Sequence, residues 1–273
     1  MSMPSVCREL RARQYDIALD VHAWHPNYIL LFWLARIPIR AGFGRVGYAP
    51  TLTHPVPFRY DRRQELEHQL DVVRALGVSA RHVALARPNL APIPAESRVK
   101  ARALLRLPAN TGRYHVLHPA ASIPTRDWVP EAWADLARQL ATEGIAPVIT
   151  GLGERARAIA QVICAREPSA ISTIDQLSWS DLMAVLESAE LIYSVETSVG
   201  HAARALGRPV VAIYGGMGDP RRWAPLGSTV ATHAVSCSPC FNKHGCASRD
   251  CLTKLRADEV RLAAGTALSV PTA

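Results

Sequence analysis

The chain has 273 residues, of which 49% are hydrophobic and 20% are charged, a composition typical of a globular protein with one large or two modest domains. Its longest apolar run, residues 28–35, is too short for a membrane-spanning helix, which needs about 20 apolar residues. The first residues carry no charged segment followed by an apolar core, so no signal peptide is predicted and a cytoplasmic location is expected.

The chain is strongly basic. Its formal net charge is +8, and only Lys100, Lys243 and Lys254 of the 31 basic residues are lysines. Either an arginine-biased genome or an acidic partner accounts for this excess, and a sugar nucleotide, a phosphorylated lipid and a membrane face are partners of that kind. Nucleic acid is not an expected partner, because the arginines are scattered and form no stripe with aromatic residues.

The first part of the chain contains a few predicted elements. Residues 15–21 predict a short buried strand, and residues 29–37 predict an apolar helix that begins near Pro26. A loop is predicted next, at Gly42, Gly44 and Gly47. Residues 64–76 predict an amphipathic helix that ends at Gly77, and its apolar face carries Leu66, Leu70 and Val73.

Residues 84–112 are rich in proline and contain one short helical pattern, at residues 97–107. Such a stretch predicts a connection between two domains. We therefore expect a partial N-terminal domain with its linker at residues 1–108 and a C-terminal domain at residues 109–273.

Strands and helices alternate regularly after this connection. Strands are predicted at residues 114–118, 146–150, 170–174, 191–195 and 210–214. Helices are predicted from Pro130, at residues 154–166, after a capping box of Ser178 and Asp181, and at residues 199–206. This alternation predicts an α/β fold with a parallel sheet, in which ligands bind beyond the carboxyl ends of the strands.

Two loops at that edge carry side chains suited to a phosphorylated ligand. The loop after the first of these strands contains Ser122, Thr125 and Arg126, and a guanidinium group matches the geometry of a phosphate. A surface ion pair is the other interpretation of Arg126. The next turn places Glu154 where a carboxylate accepts hydrogen bonds from ribose hydroxyls, or where an acid favours a helix N-terminus.

A third loop precedes a helix that is predicted to begin near Ser198. Free N–H groups at such a helix start face an anion, and Thr197 and Ser198 are candidate caps. Glu196 lies just before them. His201 lies in the first turn, where it is either a structural residue or a ligand contact.

Taken together, these motifs resemble glycosyltransferase family nine, the heptosyltransferase family. The family's Ser-Asn-Asp-Thr-Gly-Pro-x-His signature and the residues after it match Ser194, Thr197, His201, Ala203, Ala205, Leu206, Gly207 and Pro209. The segment from His118 to Trp128 is similar to the family's His-Pro-Gly and Lys-x-Trp block, and the turn before Glu154 is similar to its Thr-Gly-Gly-x-x-Glu turn. Tyr214-Gly215 and the Asp219-Pro220 pair resemble its Phe-Gly-x-Thr-x-Pro loop.

The resemblance implies two facing Rossmann-like domains of the GT-B type, the first of them incomplete. It implies an inverting transfer of a heptose-type sugar from a nucleotide-diphosphate donor, ADP-heptose, to the lipopolysaccharide inner core, without a cofactor or metal. It also implies that the protein acts at the inner face of the inner membrane. The predicted donor site places Thr125, Arg126 and residues 197–201 at the diphosphate and Glu154 at the ribose, with Ser122 and Glu196 beside them.

This chain departs from the family at several positions. Glu196 stands where the family has Asp, Ser198 where it has Gly, and Arg126 where it often has Lys. The family's catalytic Asp has no counterpart here, so the catalytic residues stay unassigned; Asp20, His22 and His25 are not chosen in its place. Two alternatives remain open: a donor-binding remnant with weak or absent transfer, and a nucleotide-sugar 2-epimerase on the same fold.

Four cysteines lie close together in the sequence: Cys237, Cys240, Cys246 and Cys251. Their spacing allows a zinc site, a disulfide or reduced structural thiols. One gap is at the edge of the usual zinc-ligand spacing, so reduced, metal-free thiols are predicted.

Overall fold

The computed structural model describes residues 3–22, 27–44, 47, 49–58, 64–84, 88–107 and 112–269. The chain forms two compact units that divide between residues 87 and 88. The predicted boundary between residues 108 and 109 lies outside the described residues, as do Pro26 and His25. The helical pattern expected within the linker belongs to the second unit.

The first unit is built on a three-stranded parallel sheet. Its strands are β1 (Ile17–Asp20), β2 (Ile39–Phe43) and β3 (His54–Val56), in that order across the sheet. Its helices are α1 (Met3–Ala12), α2 (Asn27–Leu34), α3 (Glu65–Arg74) and α4 (Ala80–Ala84), with a 3-10 turn at Ala49–Thr51. The strand and the apolar helix predicted first in the chain are therefore present, but β1 is not buried as predicted, since its residues alternate between exposed and buried and only one of its faces is covered.

Two details of the first unit differ from the prediction. Gly42 lies inside β2 rather than in a loop, and a Cβ there would approach the Asp20 carbonyl oxygen to 3.1 Å, so glycine permits the close contact with β1. Helix α3 buries His68 and Val72 instead of the predicted apolar face of Leu66, Leu70 and Val73. The reason is tertiary packing, because the His68 ring lies against Phe58, with centroids 5.9 Å apart.

The second unit contains a six-stranded parallel sheet. Its strands are β4 (Tyr114–His118), β5 (Ala146–Ile149), β6 (Ile171–Ser172), β7 (Leu191–Val195), β8 (Val210–Tyr214) and β9 (Thr229–Thr232). The order across the sheet is β6-β5-β4-β7-β8-β9. Every residue of β4, β7 and β8 is buried, which explains why these strands are mostly apolar in the sequence; the polar residues among them are His115, His118 and Ser194.

Helices cover both faces of this sheet. In chain order they are α5 (Ala95–Leu105), α6 (Pro130–Thr142), α7 (Glu154–Arg166), α8 (Trp179–Ser188), α9 (Ser198–Ala205), α10 (Pro220–Trp223), α11 (Asp250–Thr253) and α12 (Ala257–Ser269). Helices α6, α7 and α12 contribute to one hydrophobic core, and α5, α8 and α9 contribute to the other. The predicted capping box is confirmed, since Ser178 Oγ accepts from Asp181 N at 3.2 Å and Asp181 Oδ2 accepts from Ser178 N at 3.1 Å.

The strand order creates a crevice at one edge of the second sheet. The chain runs outward from β4 through β5 to β6, then continues on the other side of β4 with β7, β8 and β9. The connections after β4 and β7 therefore diverge in opposite directions. Ligands of open parallel sheets bind at this switch point, beyond the carboxyl ends of the strands. No helix of the described residues is long and apolar enough to cross a membrane.

Candidate functional site

A cleft of about 660 Å³ lies at that edge of the second unit. It is lined by the loops that follow β4 and β5 and by the first residues of α8 and α9. Three of the predicted donor-binding residues line it: Ser122, Glu154 and Ser198. A cleft of this volume is within the range that holds a small ligand.

The turn that carries Glu154 is fixed by glycine and by a neighbouring carboxylate. Gly153 has φ +86°, a backbone conformation that favours glycine, and a Cβ on Gly151 would lie 2.8 Å from Ala156 Cβ. Asp175 Oδ1 accepts a hydrogen bond from Gly153 N at 2.6 Å, and its other oxygen pairs with Arg157 at 2.5 Å. These contacts present the Glu154 side chain at the start of α7.

The Glu154 carboxylate itself is exposed. Among the described residues it has no hydrogen-bond or ion-pair partner, while the turn beneath it is held in place. An unpaired carboxylate on a fixed turn at the carboxyl end of a parallel strand is suited to accept hydrogen bonds from the hydroxyls of a ligand.

The loop after β4 is held by residues that the sequence did not single out. Asp127 Oδ1 accepts from Ala121 N at 2.7 Å, and its other oxygen accepts from Arg155, which also donates to the Ala121 carbonyl. Burial raises the pKa of Asp127, and these hydrogen bonds oppose the rise. Arg249 donates to the Asp127 carbonyl oxygen. Asp127 could have been selected from the sequence, because it lies inside the motif that contains Arg126.

Arg126 forms an ion pair with Glu196. Neither residue lines the cleft. The guanidinium Nη2 lies 3.1 Å from Glu196 Oε1, and the two side chains are 25% and 10% exposed. Burial raises the pKa of Glu196, while the Arg126 charge opposes this rise. The Glu196 carboxylate also abuts the next loop, since a Cβ on Gly218 would lie 2.8 Å from its Oε1.

One N–H donor of the Arg126 guanidinium has no acceptor. Its Nε is buried and has no hydrogen-bond partner among the described residues. A buried donor without an acceptor is unfavourable by about 1–3 kcal/mol. The group therefore has capacity for a further acceptor, although one of its nitrogens already contacts Glu196.

Thr197 caps helix α9. Its Oγ1 accepts from Val199 N at 3.2 Å and lies 3.2 Å from the Ser194 hydroxyl. The predicted helix start is confirmed, and Ser198 faces the cleft. His201 lies one turn further on, and desolvation of its imidazole by the surrounding protein lowers its pKa.

Thr125 turns toward the cysteine-rich loop rather than into the cleft. Its hydroxyl donates to Met217 Sδ and to the Lys243 carbonyl oxygen, both at 3.4 Å. Thr125 lines a separate cavity of about 30 Å³ together with Cys240, Cys246 and Cys251. The structure thus brings three predicted donor residues into the cleft and leaves Thr125, Arg126, Glu196, Thr197 and His201 outside its lining.

His118 lines the cleft and ties the ends of two strands together. Its Nδ1 lies 2.9 Å from the Thr150 hydroxyl, and burial lowers the pKa of the imidazole to about 4. His118 is therefore neutral at ordinary pH, and it holds β4 and β5 in register at the edge where the cleft opens.

The cysteines stand as free thiols. Cys237, Cys240 and Cys246 are exposed, while Cys251 is half-buried. Within the described part of the chain, no three His, Cys, Asp or Glu side chains are arranged to hold a metal ion. The metal-free state of these thiols in solution stays a prediction.

A parallel α/β unit with this cleft at its switch point is the architecture of a nucleotide-binding domain. The family model that matches residues 3–249 is that of glycosyltransferase family 9 (heptosyltransferase). The chain belongs to this family, and the resemblance found in its motifs is confirmed.

Individual relatives are distant. Lipopolysaccharide heptosyltransferase 1 of Escherichia coli O18:K1:H7 (strain RS218 / NMEC) is 24% identical over 212 residues, which are 76% of this chain and 61% of that protein. A family 9 glycosyltransferase structure from Veillonella parvula DSM 2008 has a TM-score of 0.77 at 20% identity, covering 97% of this chain and 77% of that one. The structure of Escherichia coli ADP-heptose lps heptosyltransferase II has a TM-score of 0.74 at 18% identity, covering 98% of this chain and 80% of that one.

These structural matches confirm the predicted fold class, an α/β fold of the GT-B type with two parallel-sheet units. The chain spans about three fifths of the length of the curated relative that it matches.

Proposed function

We propose that this protein transfers a heptose-type sugar from a nucleotide-diphosphate donor, ADP-heptose, to the inner core of lipopolysaccharide. The observation that carries the proposal is the cleft of the second unit, where the Glu154 carboxylate, which has no partner among the described residues, lines the same space as Ser198 at the start of α9. The names of the relatives, a lipopolysaccharide heptosyltransferase and an ADP-heptose heptosyltransferase, support the choice of donor and acceptor.

The donor lies along the carboxyl edge of the sheet in this proposal. Glu154 accepts hydrogen bonds from the ribose hydroxyls, and the diphosphate lies between Ser122 and the free N–H groups at Ser198. Arg126 contributes its guanidinium to the phosphates after its pair with Glu196 opens. Thr197 acts by holding the helix start, whereas Thr125 and His201 lie outside the lining of the cleft.

The proposed reaction is a direct displacement at the anomeric carbon of the sugar. The oxygen of an acceptor hydroxyl attacks, its proton passes to a base that is unassigned in this chain, the bond to the nucleoside diphosphate breaks, and the configuration inverts, without a metal or cofactor in the step. Positive groups at the diphosphate stabilise the charge that develops on the leaving group. The net charge of +8 suits work beside anionic headgroups, and we propose the inner face of the inner membrane as the location.

The epimerase alternative is not favoured by the cleft. We expect such an enzyme to place a catalytic pair of acidic side chains beside the donor. Among the residues that line the cleft, all within the described ranges, Glu154 is the single carboxylate, and Glu196 is paired with Arg126 outside it.

Two measurements on one sample test the proposal. Calorimetry with ADP measures the donor site, and ADP release from ADP-heptose is measured with and without a lipopolysaccharide core acceptor that lacks heptose. We expect ADP binding and acceptor-dependent release, with an inverted anomeric centre in the product by nuclear magnetic resonance. Binding without acceptor-dependent release would contradict transfer and favour the remnant alternative. Absence of ADP binding would contradict the donor site as well.

A further inference from the structure

The cleft has an apolar end on the far side of Glu154 from Ser198. Leu152 in the turn after β5 and Leu177, Trp179 and Leu182 around the start of α8 line this end. Leu152 is 80% exposed and Trp179 is 54% exposed. Large apolar side chains that stay exposed inside a concave site mark the place of an apolar ligand group.

The backbone that carries the Trp179 indole is fixed. Trp179 is the first residue of α8, directly after the capping box of Ser178 and Asp181. Asp181 also forms an ion pair with Lys100 of α5, with Nζ and Oδ2 2.5 Å apart. The exposed indole therefore stands on an anchored helix start and presents a flat aromatic surface to the cleft.

The position of this surface suits one part of a nucleotide. The order of the strands places the loop after β5 next to that after β4, and the start of α9, which follows β7, on the other side of β4. Strands lie about 4.8 Å apart, so the two ends of the cleft are separated by roughly 10 Å. A nucleoside diphosphate with its phosphates at Ser198 and its ribose at Glu154 has its base at the apolar end.

We propose that Trp179 is the stacking platform for the nucleobase of the donor, and that this end of the cleft selects purines over pyrimidines by stacking area; the inference rests on the proposed function. Stacking on an aromatic ring acts on the face of every base and increases with the overlapping area. The neighbouring side chains Leu152, Leu177 and Leu182 carry no hydrogen-bonding group, and the Ser178 hydroxyl is engaged by Asp181. Adenine and guanine are therefore accepted about equally.

The test compares ligands that contain and lack a base. Calorimetry is run with ADP, GDP, UDP and inorganic pyrophosphate on the unmodified chain, Trp179→Ala and Trp179→Phe. Leu262→Ala is the matched control, because Leu262 is an exposed apolar side chain on α12, on the opposite face of the sheet from α8. Melting curves and pyrophosphate binding report whether each variant is folded.

In the unmodified chain we expect ADP and GDP to bind within about threefold of each other and UDP to bind about tenfold more weakly, given the usual range of base stacking. Trp179→Ala weakens ADP binding by about tenfold or more and leaves pyrophosphate binding unchanged, whereas Trp179→Phe keeps most of the affinity. Leu262→Ala binds ADP like the unmodified chain.

Different failures have different meanings. If the unmodified chain binds ADP and Trp179→Ala binds it equally well, or if UDP binds as tightly as ADP, the stacking inference is wrong and the proposed donor site stands. If no nucleoside diphosphate binds, the stacking inference and the proposed donor site are both wrong. If ADP binds through Trp179 but no sugar is transferred, the inference holds and the proposed function fails.

Discussion

The two ends of the predicted donor site differ in how they are prepared for a ligand. At the nucleoside end, the Gly153 turn is rigidly held and the Glu154 carboxylate has no partner among the described residues. At the diphosphate end, Arg126 is engaged by the carboxylate of the largely buried Glu196. The nucleoside end is preformed, whereas at the diphosphate end Arg126 is already paired with one anion, has only its buried Nε without an acceptor among the described residues, and has to exchange that anion for a phosphate.

This difference predicts how binding divides between the two ends. A ligand with a ribose but no phosphate uses the preformed end and disturbs nothing. A ligand with phosphates gains contacts to Arg126 but separates it from Glu196, so part of the gain is offset. Variants at each end therefore change the affinities for adenosine and ADP by different amounts.

The largest effect is expected at Arg126. Arg126→Ala removes a charge-assisted contact to phosphate and weakens ADP binding by about 1.5–3 kcal/mol, while adenosine binding stays unchanged. The substitution also leaves Glu196 buried without its cation, so the variant loses thermal stability. Calorimetry with both ligands and a melting curve measure these effects.

Arg126→Lys is the matched control for this change. A lysine keeps the charge and loses the planar fork, so it should bind ADP with an affinity between those of the unmodified chain and Arg126→Ala. An Arg126→Ala protein that is folded and binds ADP normally would exclude Arg126 from the donor site.

A smaller effect is expected at Glu154. Glu154→Ala removes the ribose contact and weakens adenosine and ADP equally, by about 1–2 kcal/mol, because an exposed carboxylate gains less from a hydrogen bond than a buried one. Glu131, an acid at the start of α6, supplies the control Glu131→Ala, which should leave both affinities unchanged. A loss for ADP alone would contradict the ribose assignment.

The parts of the fold that sequence predicted best are those set by local signals. The bounds of strands β4, β7 and β8 agree with the prediction to the residue, because strands buried on both faces are predominantly apolar even where a histidine or a serine interrupts them. The edge strand β9 was missed, since Thr229–Thr232 mixes polar and apolar residues and its pairing depends on β8. The buried face of α3 was wrong for the same reason, because packing against Phe58 selects His68.

At the candidate site, too, the sequence predicts the residues but not the contacts that depend on the fold. Sequence named Arg126 and Glu196 separately, but an ion pair between residues so far apart in the chain follows only from the fold. The structural roles of Asp127 and Asp175, which hold the two loops, likewise depend on partners that the fold brings in from other segments.

The smallest effect, and the sharpest test of the comparison, is expected at Glu196. Glu196→Gln keeps the shape of the side chain and removes its charge. Phosphate then no longer has to break an ion pair in order to contact Arg126. We expect ADP to bind about 1 kcal/mol more tightly to this variant near pH 8, with adenosine binding unchanged. Equal ADP affinity of the two proteins at that pH would mean that the ion pair does not compete with the donor.

The pH dependence of this difference follows from the direction of the pKa shift. Burial raises the pKa of Glu196 above that of an unfolded glutamate, so its contribution to stability is fully present below the unfolded pKa and is lost as the pH rises through the folded pKa. Glu196→Gln does not titrate, so it should gain stability relative to the unmodified chain as the pH rises through this window.

The pKa of Glu196 also makes the affinity for ADP depend on pH. When phosphate displaces the carboxylate from Arg126, the buried Glu196 is more easily protonated, so ADP affinity of the unmodified chain falls with rising pH more steeply than that of Glu196→Gln. Because the phosphates of ADP titrate identically in both titrations, the difference between the two proteins isolates Glu196, and it should vanish at low pH, where the carboxyl group is neutral.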